Sequence, residues 1–190
     1  MPYLREYLDK HLYGRMPDLD SLPYNGRIPT DGKLQRLVTK LLNSPPRPSD
    51  HVIALTDVYT GIRPPDFCDA ADAKAKMRQW VGVEPRFHPH AAQYDFEAWL
   101  LPYWSHIQRL AGHNKAAPGG NPEAVDHDNP PAHRIEEMFR IGLSRQGYVK
   151  PRDAGRILRD NDLSVAVGAC SELKSFVNTI LPICGSNVIP

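Results

Sequence analysis

The sequence predicts an α/β fold, with a small parallel sheet flanked by helices and a helical C-terminal region. Two extended segments, HVIALTD at 51–57 and EPRFHPHAAQYD at 84–95, alternate with stretches whose apolar residues recur at helical spacing. The first segment is aliphatic and β-branched and lies between proline-rich turns, which is typical of a buried central strand. From residue 133 onward the helical spacing continues.

Apolar spacing and capping residues place the individual helices. The predicted helices cover 2–13, 34–42, 72–82, 97–110, 133–143, 152–161 and 164–181. Asp69 and Asp72 are both suited to cap the third helix. Pro102 lies near the start of the fourth, where its missing N–H is tolerated.

A chain of 190 residues suits a single domain, 1–190, with a core over about 1–111 and a helical part over 133–190. Between them, the Gly/Pro/Asn-rich segment 112–132 is longer than ordinary loops, which predicts a mobile or a functional loop.

Composition limits the classes of function. A formal charge of +1 gives no overall basic field of the kind a duplex-DNA clamp shows, so any nucleic-acid contact would be local. The three cysteines form no CxxC pair, which favours a reducing cytoplasm. No apolar run approaches the roughly 20 residues of a membrane helix. We therefore expect a soluble, cytoplasmic protein without a membrane partner.

Three carboxylates follow the predicted strands. Asp57 ends the first strand, and Asp95 and Glu97 follow the second. Because the carboxyl ends of parallel strands lie at one edge of a sheet, we expect these acids to converge there. Oxygen ligands of this kind suit Mg²⁺ or Mn²⁺, and such an ion could activate water for phosphodiester hydrolysis. The alternative is structural: Asp57 caps a turn, Asp95 caps the next helix, and Glu97 lies in its favourable first turn.

Lys150 and the later arginines each allow a functional and a structural interpretation. Lys150 could neutralise a phosphate near the metal, or it could be a solvated loop residue. The arginines after residue 133 could contact backbone phosphates, or they could form solvated helix faces. These arginines are Arg134, Arg140, Arg145, Arg152, Arg156 and Arg159. A zinc site built from His88, His90, His127 and His133 lacks any accompanying HExxH or CxxC spacing.

Several motifs in succession carry a family resemblance. They are YLREYLDKHLY, VIALTDVYTGIRPPDF, RFHPHAAQYDFEAWLL, GGNPEAVDHDNPPAHRI, GYVKPRDAGRIL and ELKSFVNTIL. The set resembles the Toprim-related family catalogued as domain of unknown function 4276, over nearly the whole chain. The shared features are a strand ending in Asp followed by an aromatic residue, an acid-x-Glu-Ala-hydrophobic motif, an Asn-Pro-Glu loop and a lysine in the last third of the chain.

The resemblance implies a Toprim-like fold whose acidic residues hold Mg²⁺. Related Toprim nucleases, of the overcoming-lysogenisation-defect kind, cleave DNA and often act beside an ATPase partner in phage defence. The resemblance assigns metal-binding roles to Asp57, Asp95 and Glu97, and catalytic roles to Glu97 and Lys150. Asp95 stands where the family more often has Glu, and both residues supply carboxylate oxygens.

The N-terminus departs from the family pattern. The family opens with a strand and a Glu-Gly-x-x-Glu turn, whereas this numbering begins at MPYLREYL, the helix expected after that turn. Either a start upstream of Met1 supplies the turn, or the chain lacks that acid. The second case predicts an alternative function, a catalytically incomplete Toprim-derived binding or regulatory subunit.

Overall fold

The computed structural model describes residues 2–24, 27–59, 65–124, 129–142 and 147–190. In chain order its elements are α1 (Pro2–Leu12), α2 (Asp31–Asn43), β1 (Val52–Asp57), α3 (Ala70–Val81), β2 (Phe87–Ala92), the 3₁₀ helix η1 (Phe96–Tyr103), α4 (Trp104–Ala111), α5 (Pro131–Ile141), α6 (Lys150–Arg159), α7 (Leu163–Ala169) and α8 (Ser171–Ile183). The chain divides into two compact units. We call Leu22–Gln93 the sheet unit, and Met1–Ser21 together with Tyr94–Pro190 the helical unit. The single-domain assignment stays a prediction.

The sheet unit contains a parallel pair of described strands. β1 and β2 pair in register from Val52 opposite Phe87 to Asp57 opposite Ala92. Helices α2 and α3 pack with the strands, and together they form an apolar core. This arrangement confirms the predicted α/β class with a small parallel sheet.

The core of the sheet unit follows from helical periodicity. Leu34, Val38 and Leu42 of α2 recur every four residues, so they lie on one face and are buried together with Met77 of α3. Burying each such side chain contributes roughly 1.5–3 kcal/mol. The cap of α3 is Asp69, whose Oδ1 accepts the backbone N–H of Asp72 at 2.7 Å.

The helical unit contains α1, η1 and α4 to α8. Its fully buried side chains include Leu8, Leu12, Ile107, Ile135, Met138, Phe139, Ile157, Val177 and Leu181. Long-range hydrogen bonds connect its helices. The Tyr3 hydroxyl donates to the Gly155 carbonyl at 2.7 Å, and the Tyr103 hydroxyl donates to the Asp162 carbonyl at 2.9 Å.

Two of the predicted continuous helices are wrong, because each is interrupted in the structure. The stretch 97–110 is a 3₁₀ helix up to Tyr103 and an α-helix only from Trp104, because Pro102 cannot donate a backbone hydrogen bond inside an α-helix. The stretch 164–181 breaks at Cys170, which has an extended backbone at φ −122° and ψ 110°. The buried Cys170 thiol faces the Ala98 carbonyl at 3.8 Å, so the break is fixed by tertiary packing.

None of the helices in the described ranges combines the length and apolarity needed to cross a bilayer.

Gly142 lies where α4 and α5 approach closely. A Cβ atom there would overlap the carbonyl oxygen of Ala111. We therefore expect Gly142→Ala to lower the free energy of unfolding by about 2–3 kcal/mol through overpacking. Urea denaturation measures the change.

Gly168→Ala is the matched control, because nothing lies within 4 Å of a Cβ at this helical position. We expect it to stabilise the protein by up to about 1 kcal/mol, since alanine favours helix over glycine. Equal effects of the two substitutions would contradict the close approach at Gly142.

Candidate functional site

The structure places three of the four predicted site residues in the helical unit. Asp95 is the N-cap of η1, Glu97 lies in its first turn, and Lys150 begins α6. Asp57 is the last residue of β1 in the sheet unit, as predicted, and its part in a metal site stays a prediction. The predicted strand 84–95 is too long. It ends at Ala92, because Tyr94 has a φ of +66° that an extended strand does not allow.

Glu97 accepts hydrogen bonds from two side chains at the start of α6, Tyr148 just before the helix and Lys150 at its first residue. It is 4% exposed. The Lys150 Nζ lies 3.1 Å from each of its carboxylate oxygens, and the Tyr148 hydroxyl donates to Oε1 at 3.3 Å. Burial and the charge of Glu97 raise the pKa of Tyr148 far above its usual value, so the phenol stays protonated and remains a donor.

Asp95 is buried beside this contact with much less compensation. It is 3% exposed, and its Oδ2 accepts the backbone N–H of Ala132 at 3.2 Å. Its Oδ1 has no hydrogen-bond partner among the described residues. Burial, followed by the negative charge of Glu97, raises the pKa of Asp95 to about 6, against the opposing effects of the Ala132 N–H, the Lys150 charge and the Glu97 backbone N–H.

Glu123 is a third buried carboxylate, and it is saturated with donors. It accepts hydrogen bonds from the Trp99 indole at 3.0 Å, the Ser171 hydroxyl at 2.8 Å and the Glu172 backbone N–H at 3.0 Å. Its hydrogen bonds therefore link the predicted long loop to η1 and to the first turn of α8, where a negative charge is favoured. No role was predicted for Glu123, although it is the glutamate of the Asn-Pro-Glu motif.

Asp153 is the fourth buried carboxylate and is also fully paired. Its Oδ2 accepts the backbone N–H of Val149 at 2.8 Å, and Arg152 donates to both oxygens at 2.9 Å. Although burial raises the pKa of Asp153, these donors outweigh it and hold the pKa below its usual value. The carboxylate thus fixes the first turn of α6, which carries Lys150. Asp153 is the fourth residue of α6, one position later than the acid of a capping box, and an acid near a helix start that bonds back to the residue before the helix is a signal that could have identified it.

Among the four buried acids, Asp95 has the fewest well-formed hydrogen bonds to its carboxylate. Glu123 and Asp153 each receive at least three hydrogen bonds, and Glu97 receives an ammonium and a phenol. Asp95 accepts one well-formed hydrogen bond, from Ala132, besides a weaker interaction with the Glu97 backbone N–H, and its buried Oδ1 has no hydrogen-bond partner within the described ranges. Buried carboxylates without compensation are costly and cluster at functional sites.

The histidines provide no comparable cluster. In the sheet unit, His51 Nδ1 and His88 Nε2 are 3.1 Å apart, and burial, followed by the charge of Lys74, lowers the pKa of His90 to about 4. His133 is exposed on α5, whereas His127 and Arg145 lie outside the described residues. Within the described ranges, no group of three or more His, Cys, Asp and Glu residues is arranged to hold a metal ion.

The raised pKa of Asp95 predicts how stability changes with pH. The folded state binds the Asp95 proton more tightly than the unfolded state, where the usual pKa is 3.8. Ionisation therefore destabilises the fold progressively as pH rises from 3.8 to about 6, and the full loss persists above that. In urea titrations with EDTA, Asp95→Asn should gain about 2 kcal/mol relative to wild type between pH 4 and pH 7, since one pKa unit is worth about 1.4 kcal/mol and part of the loss already occurs below pH 4.

Asp20→Asn is the control for this prediction, because Asp20 is exposed. Its stability relative to wild type should not change over the same range. A difference between Asp95→Asn and wild type that is independent of pH would show that the carboxyl of Asp95 titrates normally.

Comparison with known proteins assigns a family. No curated protein and no solved structure matches the chain. The sequence model of the family described as domain of unknown function DUF4276 matches residues 3–181, which is nearly the whole chain. The chain therefore belongs to the DUF4276 family.

Proposed function

We propose that this protein is a Mg²⁺- or Mn²⁺-dependent phosphodiesterase that cleaves nucleic acid, with Asp95 and Glu97 as metal-binding carboxylates. The observation that carries the proposal is the buried Oδ1 of Asp95, which has no partner among the described residues and lies beside the second buried acid. A divalent cation would compensate both charges. The buried site would then cost stability only in its metal-free form.

The donor set fits a hard cation. Mg²⁺ is usually bound through one or two carboxylates, with water and substrate phosphate oxygens completing its coordination. Asp95 and Glu97 supply oxygen ligands of this type, without the sulfur or imidazole ligands that select softer metals. When bound, such an ion lowers the pKa of a coordinated water and stabilises the charge that develops on a phosphoryl group.

Lys150 is the proposed phosphate-binding residue. Its side chain is 58% exposed, yet its ammonium is fixed against Glu97, so one group faces both solvent and the acid pair. An ammonium carries three donors, which allows it to keep one carboxylate contact while donating to a phosphate oxygen. Tyr148 is a positioning residue, because its hydroxyl holds Oε1 of Glu97.

The family resemblance adds four elements to the proposal. These are the Toprim-like version of the α/β fold, the third ligand Asp57, an ATPase partner and a role in phage defence.

A catalytically incomplete binding or regulatory subunit is the second candidate. The contact of Glu97 with Lys150 and Tyr148 favours it, because one of the two acids already has its compensation within the protein. In that case the acid pair organises the fold, and the protein acts through a partner or a bound nucleic acid.

A nucleic-acid cleavage assay distinguishes the enzyme from the regulatory subunit. With Mg²⁺ or Mn²⁺, the wild-type chain should nick a supercoiled plasmid or cleave an oligonucleotide, and EDTA should abolish the activity. Glu97→Gln and Lys150→Ala should each lower the rate by roughly 100-fold or more, because each removes charge stabilisation worth several kcal/mol. Asp57→Asn tests the third predicted ligand in the same assay.

Lys10→Ala is the matched control for Lys150→Ala. Lys10 forms a 3.0 Å ion pair with Asp162 in the same unit and is 50% exposed, but its partner is not a buried acid. It should keep wild-type activity. Equal cleavage by wild type and Glu97→Gln would contradict the enzymatic proposal.

Calorimetric titration with Mn²⁺ provides a readout that does not depend on turnover. Wild type should bind the ion, and Asp95→Asn should bind it at least tenfold more weakly. Metal binding without cleavage would favour the regulatory subunit over the enzyme.

A further inference from the structure

A groove in the helical unit lies between the start of α1 and the outer face of α6. Its volume is about 720 Å³. Pro2 and Tyr3 line it from α1, and Arg152, Arg156 and Arg159 line it from α6. The charged groups that line the groove are thus all guanidinium groups. No part of the proposed acid pair borders it.

The three arginines share one face of α6. They are spaced four and three residues apart, so they follow each other at about 6 Å and 4.5 Å along the helix axis. All three are exposed. A row of this length matches a short stretch of regularly spaced anions better than a single anion.

The buried Asp153 organises this row. It accepts two hydrogen bonds from Arg152 at 2.9 Å and a longer contact from Arg156 at 3.4 Å. Arg159 forms no ion pair with an acid in the described ranges. One buried carboxylate therefore orients two guanidinium groups without neutralising the row, and fixing them in advance lowers the entropy lost on binding.

We propose that this groove binds the sugar-phosphate backbone of a single-stranded nucleic acid. Guanidinium groups suit phosphate oxygens, and Tyr3 adds an aromatic ring that is fixed through its hydroxyl to Gly155. The formal charge of +1 argues against a broad duplex-binding surface, whereas a flexible strand can follow a short groove. The inference rests on the proposed function for its substrate, and it assigns binding to residues outside the acid pair.

Fluorescence anisotropy with labelled 20-nucleotide oligothymidylate, in EDTA, tests the groove without catalysis. The double variant Arg156→Gln/Arg159→Gln should bind at least tenfold more weakly than wild type at 100 mM salt. Its slope of log K against log salt should become shallower by about 1.4, since each single-strand phosphate contact contributes about 0.7. Arg159→Gln alone, which breaks no ion pair within the described ranges, should show about half of that change in slope.

Arg15→Gln/Arg140→Gln is the matched control, because both arginines are exposed in the helical unit outside the groove. It should keep wild-type affinity and slope. An equal loss in the control would overturn the groove assignment, as would an absence of binding by wild type. Equally tight binding of a duplex, or of anionic lipid vesicles, would overturn the assignment to a single strand.

The two proposals can fail separately. Strand binding that depends on Arg156 and Arg159, without cleavage in Mg²⁺, supports the groove and contradicts the enzyme. Cleavage with an unchanged KM in the double variant supports the enzyme and contradicts the groove.

Discussion

The contact of Glu97 with Lys150 and Tyr148 is the interaction on which the candidate site depends. It joins η1 to the segment leading into α6 across 53 and 51 residues of sequence. Without these donors, Glu97 would be a buried and unpaired carboxylate, which costs several kcal/mol. The contact therefore fixes both the acid and the start of α6.

A second buried acid supports this contact from within α6. Asp153 accepts the Val149 N–H and holds Arg152, so the first turn of the helix has little freedom. Lys150 lies between these two points of attachment. Its ammonium is consequently placed by the backbone as well as by Glu97, and the proposed catalysis would require this preorganisation.

The sequence predicted the local features well and the long-range ones poorly. Helical spacing located α1 to α3, and the aliphatic run located β1 to within one residue of its start. These signals are local, because periodicity and capping act within a few residues. The role of Tyr148 was not predicted, since nothing near it in sequence indicates a partner 51 residues away. The break at Cys170 escaped for the same reason, because the packing of its side chain against Ala98 is a tertiary effect.

The two proposed properties, metal-dependent cleavage and strand binding, are assigned to different faces of α6. At about 100° per residue, Lys150 lies on nearly the opposite side of the helix from Arg152, close to the buried face marked by Ile157. The ammonium thus faces the acid pair while the arginines face the groove. A strand held by the arginines would have to pass around the N-terminal end of α6 to reach Lys150, and only about 3 Å of helix axis separates Lys150 from Arg152.

Because the two faces have different residues, loss of catalysis through the acid pair would leave the arginine row intact. The same helix would therefore suit either an active nuclease or a subunit that only binds nucleic acid. The two cases differ in whether a divalent cation compensates the buried charge of Asp95.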